Sequence, residues 1–106
     1  MVKVMFFLYR RSDLTVEAFQ RYSKEVHTPL VTRIPGVDRY VVDHVIANPT
    51  GATHACDAVA EFWLGSMESF QTAFATPEVA VVLADQANFL DTGRTHFLIV
   101  EESIVR

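Results

Sequence analysis

The residue types and spacing most suggestive of chemistry lie in Glu25-Val26-His27-Thr28-Pro29-Leu30-Val31. An imidazole with an ordinary pKa near ~6.5 gains and loses a proton at cellular pH, so a histidine beside a cavity can serve as general acid or base. His27 stands two residues before a proline. Pro29 has no N–H and its ring crowds the carbonyl four residues back, so a helix arriving here is expected to stop or bend near Thr28. Thr28 would then cap, with Pro29 opening a short restarted turn. The competing expectation is a histidine packed at a helix end with no chemical role.

Other residues carry candidate chemistry of their own. Tyr40 and His44 share one face of an expected strand, which lets both line one cavity; a core aromatic and an edge histidine are the alternatives. Glu61 falls mid-strand, where a carboxylate is costly unless paired or solvated, and Arg39 or His44 on the adjacent strand are its expected partners. Trp63 lies on the same side as Glu61 and reads as packing. A metal site would need two or three of His27, His44, His54, His96 and Glu61 to converge, yet no HExxH spacing or cysteine cluster exists, so no metal is expected. Cys56 beside His54 in an expected loop offers a thiol nucleophile, but a spacing of two residues does not imply contact, and a surface thiol is the alternative. Gly65-Ser66 lacks the GxSxG elbow and no glycine-rich phosphate loop is present, which argues against hydrolase and nucleotide chemistry.

The elements that must position these residues follow from periodicity. Residues 2 to 10 are β-branched and aromatic, alternating Val4, Phe6, Leu8 with Met5, Phe7, Tyr9: a strand with two apolar faces. Thr15 is placed to cap a helix, with Leu14 and Phe19 as a hydrophobic staple. At ~100° per residue from Phe19, Val26 falls near about −20° and Leu30 near about +20°, whereas His27 at about +80° flanks the apolar stripe. Val37 to Ala47 and Asp57 to Leu64 read as strands separated by the turn residues Asn48-Pro49-Thr50-Gly51. Ser66 caps a helix carrying Met67, Phe70 and Phe74; Thr76-Pro77 recaps a longer one with Val79, Val82, Leu83 and Leu90 inward. Thr95 to Glu101 is the last strand. The order βαββαβ predicts an α+β, ferredoxin-like fold with a four-stranded antiparallel sheet.

Composition bounds the rest. With 106 residues, half of them hydrophobic and 21% charged, the chain is one globular domain, 1–106. A net charge of −4 with one adjacent basic pair, Arg10-Arg11, argues against nucleic acid and against a polybasic membrane patch. The apolar N-terminal run is far too short to span a bilayer, and a single cysteine fits a reducing cytoplasm. Two helical regions cover only one face of the sheet, so a second copy is expected over the other: a homodimer.

Along nearly its whole length the chain resembles the EthD-like family of the dimeric α+β barrel superfamily. The similarity is carried by the first strand with Arg10-Arg11, Phe19 and Tyr22, and Glu25-Val26-His27-Thr28-Pro29-Leu30. It continues through Pro35-Gly36-Val37 leading to Tyr40, Glu61-Phe62-Trp63 with Phe70, and Ala84-Asp85 before Phe89-Leu90-Asp91. The resemblance implies a dimeric barrel with a small apolar pocket between sheet and helices, holding the histidine. Members are associated with ether degradation beside a cytochrome P450, polyketide dehydration or cyclisation, and methylmuconolactone isomerisation. Methylmuconolactone methylisomerases are similar at His27 and Tyr40, but Phe62 replaces their active cysteine, which weakens the isomerase reading. The resulting expectation is a cofactor-independent isomerase, cyclase or dehydratase for a hydrophobic aromatic, polyketide or lactone-type metabolite. His27 and Tyr40 would be catalytic and His44, Phe62 and Phe19 would contact substrate. The alternatives are a non-catalytic, metabolite-binding accessory protein for an oxygenase, and a cofactor-free monooxygenase.

Overall fold

In the computed structural model, which describes all 106 residues, the alternation of the first apolar run becomes strand β1 (Val2–Leu8). Val4, Phe6 and Leu8 are buried, while Lys3, Met5 and Phe7 occupy the other face. Thr15 caps α1 (Val16–Tyr22), its hydroxyl accepting the Ala18 N–H at 3.1 Å. A π-helical turn, Ser23–His27, leads into α2 (Thr28–Val31). Gly36 (φ +81°), a left-handed conformation that side chains resist, turns the chain towards β2 (Arg39–His44). There follow β3 (Ala58–Leu64), α3 (Met67–Phe74), α4 (Pro77–Gln86) and β4 (His96–Val100). The strands pair antiparallel in the order β2-β3-β1-β4. This is the expected ferredoxin-like sheet, with β1 and β3 central.

The helices cover one face. Val4, Phe6 and Leu8 of β1 and Ala58, Ala60, Phe62 and Leu64 of β3 pack there against Phe19, Val31, Val79, Val82 and Phe89. Ser66 and Thr76 cap α3 and α4 as expected, so the second helical region is two helices. Several expectations need correction. Strand β2 ends at His44, short of the expected Ala47, and Ile46 is 97% exposed in the connection that follows. Leu83 is exposed on α4, whereas Val79 and Val82 are buried, and Phe89 in the turn after the helix joins them in the core. Glu61 is paired by neither Arg39 nor His44 but by Lys3 of β1, at 2.8 Å.

The largest correction concerns the helix before Pro29. It neither stops nor restarts: His27 and Thr28 keep right-handed helical dihedrals, and the chain widens by one residue, with the Thr28 N–H donating to the Ser23 carbonyl five residues back. The extra residue in the turn sets every later position back by ~100°. His27 therefore moves from about +80° to about −20° relative to Phe19, onto the axis of the apolar stripe, and Val31 moves to about +20°. Exposure follows the shifted phase. His27 is 6% and Val31 3% exposed, whereas Val26, expected inward, is 42% exposed.

Candidate active site

The π turn aims His27 at α4, and α4 answers with a carboxylate. Asp85 lies three residues after Val82 and four before Phe89, both buried, so it projects from the inward stripe of the helix. Its Oδ2 lies 2.9 Å from Nδ1 of His27, while Oδ1 accepts from the Tyr22 hydroxyl at 2.6 Å and from Asn88 Nδ2 at 3.0 Å. Phe89 floors the group, its ring centroid 4.6 Å from that of His27 and 5.0 Å from that of Tyr22.

These contacts set the charges. Burial works against ionisation of Asp85, but the hydrogen bonds from Tyr22, His27 and Asn88 outweigh it and hold the carboxyl below the ordinary aspartate range. Burial lowers the pKa of His27, and Asp85 offsets this only in part. His27 is thus a neutral imidazole near pH 7. Because an ionised carboxylate only accepts, the ring proton sits on Nδ1, and Nε2 carries the free lone pair.

His27 opens onto a slot between helices and sheet, whose walls include Ser23, Tyr40, Phe62, Phe6 and Gln86 and no Lys, Arg, Asp or Glu. The enclosed space is about 20 Å³, room for one water. Tyr40 stacks on Phe62, ring centroids 4.7 Å apart. Burial raises the pKa of the Tyr40 hydroxyl, with Thr28 beside it acting the other way, so it remains a protonated donor at neutral pH.

The structure therefore brings His27, Tyr40 and Phe62 to one slot. It does not bring His44 or Phe19 there. His44 shares the face of Tyr40 but lies at the far end of β2 outside the slot, its Nδ1 buried without a partner. Phe19, 1% exposed, is a core ring stacked on Phe89 at 5.6 Å, one layer behind His27. Asp85, Ser23 and Gln86 were missed as site residues. For Asp85 a signal existed: a charge three residues after Val82 and four before Phe89, at helical spacing from both. Cys56 stands apart in the connection before β3, where burial raises its thiol pKa, the opposite of an activated nucleophile. No three metal-ligating side chains converge, and no helix is long and apolar enough to cross a membrane.

Comparison with known proteins places this geometry in a family. Residues 11–93 match the EthD domain. The chain is 34% identical over 91 residues to an uncharacterized 11.0 kDa protein from the thcB-thcC intergenic region of Rhodococcus erythropolis, covering 83% of this chain and 84% of that one. It superimposes on the crystal structure of an EthD family protein from Bacillus halodurans with a TM-score of 0.82 and 27% identity, over 97% of this chain and 99% of the other. A dimeric ferredoxin-like protein of unknown function from Thermobifida fusca, 14% identical with a TM-score of 0.73 over 95% and 90% of the two chains, shares the fold. The family match and the identity to the Rhodococcus protein together make this chain a member of the EthD family.

Proposed function

We propose that the protein is a cofactor-independent enzyme of the isomerase, cyclase or dehydratase kind. Its substrate is a hydrophobic, carbonyl-bearing aromatic, polyketide or lactone-type metabolite; His27 moves the proton and Tyr40 orients an oxygen. The observation that carries this reading is His27 Nδ1 held 2.9 Å from the Asp85 carboxyl at the wall of an apolar slot. Nε2 takes a proton from a carbon next to the carbonyl, and the imidazolium so formed is stabilised by Asp85. The Tyr40 hydroxyl donates to the carbonyl oxygen as it becomes an enolate. His27 then returns its proton to a different carbon, completing an isomerisation, or to a departing hydroxyl, completing a dehydration. A substrate ring needs far more room than one water occupies, so admission requires the Tyr40–Phe62 wall to move. Strand β2, which carries Tyr40, has no neighbour on its outer side.

The same reading includes a homodimer. The uncovered sheet face carries Met5, Phe7, Val41 and Trp63, and a second copy stacked on it closes the barrel.

The test is turnover of a panel of polyketide-like and lactone substrates by His27→Gln, whose amide can still donate to Asp85 while taking up no proton. Turnover should fall by roughly 10²–10⁴-fold with the fold intact by circular dichroism. Full activity in this variant overturns the mechanism. Ligand binding without turnover in the wild type points instead to a non-catalytic accessory protein that holds the metabolite for an oxygenase.

A further inference from the structure

The sheet face away from the helices carries a set of charges that the proposed chemistry does not use. Lys3 of β1 binds Glu61 of β3 at 2.8 Å and Glu102 of the C-terminal segment at 3.3 Å. Glu102 also accepts the Trp63 indole N–H at 2.6 Å, and Arg39 of β2 lies over the Trp63 ring, 4.8 Å from its centroid. Asp43 completes the set. Val41 stands opposite Glu61 and Asp43 opposite Val59, so Asp43 and Glu61 are diagonal neighbours on one face of adjacent strands. Three carboxyls thus face two cations.

In water this excess of one negative charge per copy is harmless. Between two sheets whose remaining positions include Met5, Phe7, Val41 and Leu98, an uncompensated carboxylate is costly. Lys3 and Arg39 are already engaged. The remaining remedy is for one proton to be held between Asp43 and Glu61, one as carboxyl donor and the other as carboxylate acceptor.

We propose that this face is a proton-linked docking surface for a second copy of the chain, each copy taking up one proton from solvent onto its Asp43–Glu61 pair as the faces meet. The proposal rests on the homodimer reading above. Its direction agrees with the free chain, where hydrogen bonding to Glu61 already raises the pKa of Asp43, while Asp43 and Lys3 together keep Glu61 ionised. His96 of β4, stacked on Phe7 at 5.1 Å with Nδ1 2.9 Å from the Arg94 carbonyl oxygen, is the titratable ring on this face.

The experiment is sedimentation velocity on the full chain from about pH 8 down to about pH 4.5, for the wild type, Asp43→Asn and Glu17→Gln. Glu17 is exposed on α1, so its variant loses one negative charge away from the face. In the wild type the dimer should tighten on acidification, with log Kd changing by up to about two per pH unit, one proton per copy, or at most about a hundredfold. Asp43→Asn, with His96 still present, should dimerise tightly with no such slope, and Glu17→Gln should keep the wild-type slope. A slope retained in Asp43→Asn, or absent from a dimeric wild type, overturns the proposal. A wild type monomeric at every pH overturns the homodimer reading itself.

Discussion

Burial and Asp85 act on His27 in opposite directions, and their balance leaves a neutral ring whose Nδ1–H is spoken for. Changing Asp85 to Asn separates the two influences. Tyr22 and Asn88 both donate to the Oδ1 position, so the asparagine oxygen stays there and its NH₂ turns towards His27. The amide then donates to Nδ1 and forces the ring proton onto Nε2, which removes the base. Asp85→Asn should lower turnover by roughly 10³-fold or more, and with the carboxylate gone the His27 pKa should fall further, as read by NMR titration of its ring signals. Stability carries the same signature. The folded pKa of His27 lies below its unfolded value near ~6.5, so the unfolded chain binds more protons in acid. This contribution is complete above about pH 6.5 and is lost as the pH falls through the folded value. Urea midpoints of the wild type at about pH 7.5 and about pH 5.5 should differ in that sense, and His27→Gln should reduce the difference. His27 was legible in the sequence because imidazole and proline are conspicuous neighbours. Asp85 was not: its pairing exists only once α4 lies against the π turn, although a charge between Val82 and Phe89 announced a buried partner.

At the scale of the element, the widened turn decides which residues of the first helical region face inward. Pro29 cannot supply an N–H to the carbonyl of Glu25, and the turn immediately before it is the one widened by a residue. Val31 and His27 are buried as a result, at the expense of Val26. A regular helix would make Val26 a core residue, so two substitutions tell the phases apart. Val26→Glu should be nearly neutral in stability, whereas Val31→Ala should cost about 2 kcal/mol, both by denaturant unfolding. The reverse ranking would mean that the helix is regular through Pro29. The strands were readable because a period of two survives without reference to any partner: Val4, Phe6, Leu8 and Ala58, Ala60, Phe62, Leu64 alternate as the sequence spells them. The phase of the helix was not, since a constant ~100° step has no place for an inserted residue. His44 and Ile46 illustrate another boundary. Their alternation continues past the point where β2 stops pairing with β3, and periodicity alone carries no record of where a ladder ends.

For the whole molecule, the arrangement of four strands and one helical layer was written in the element order, but the sheet face without helices poses the larger question. It mixes apolar side chains with the ion pairs around Glu61, which suits a surface that is wet in the free chain and covered in the assembly. Met5 sits near its middle, on a central strand, opposite Glu61 on one side and Leu98 on the other. A glutamate there is tolerable in a free chain, where water solvates the added carboxylate, but not between two apposed sheets, where it would deepen the excess of negative charge beside Glu61. Met5→Glu should therefore sediment as a monomer at about pH 7.5 while unfolding in a single cooperative transition. Because His27, Asp85 and Tyr40 all lie on the helix-covered side, the glutamate leaves their contacts in place. Turnover by that monomer then reports whether the slot works without its partner. A Met5→Glu chain that remains dimeric would move the interface to another surface and leave the charged face to water.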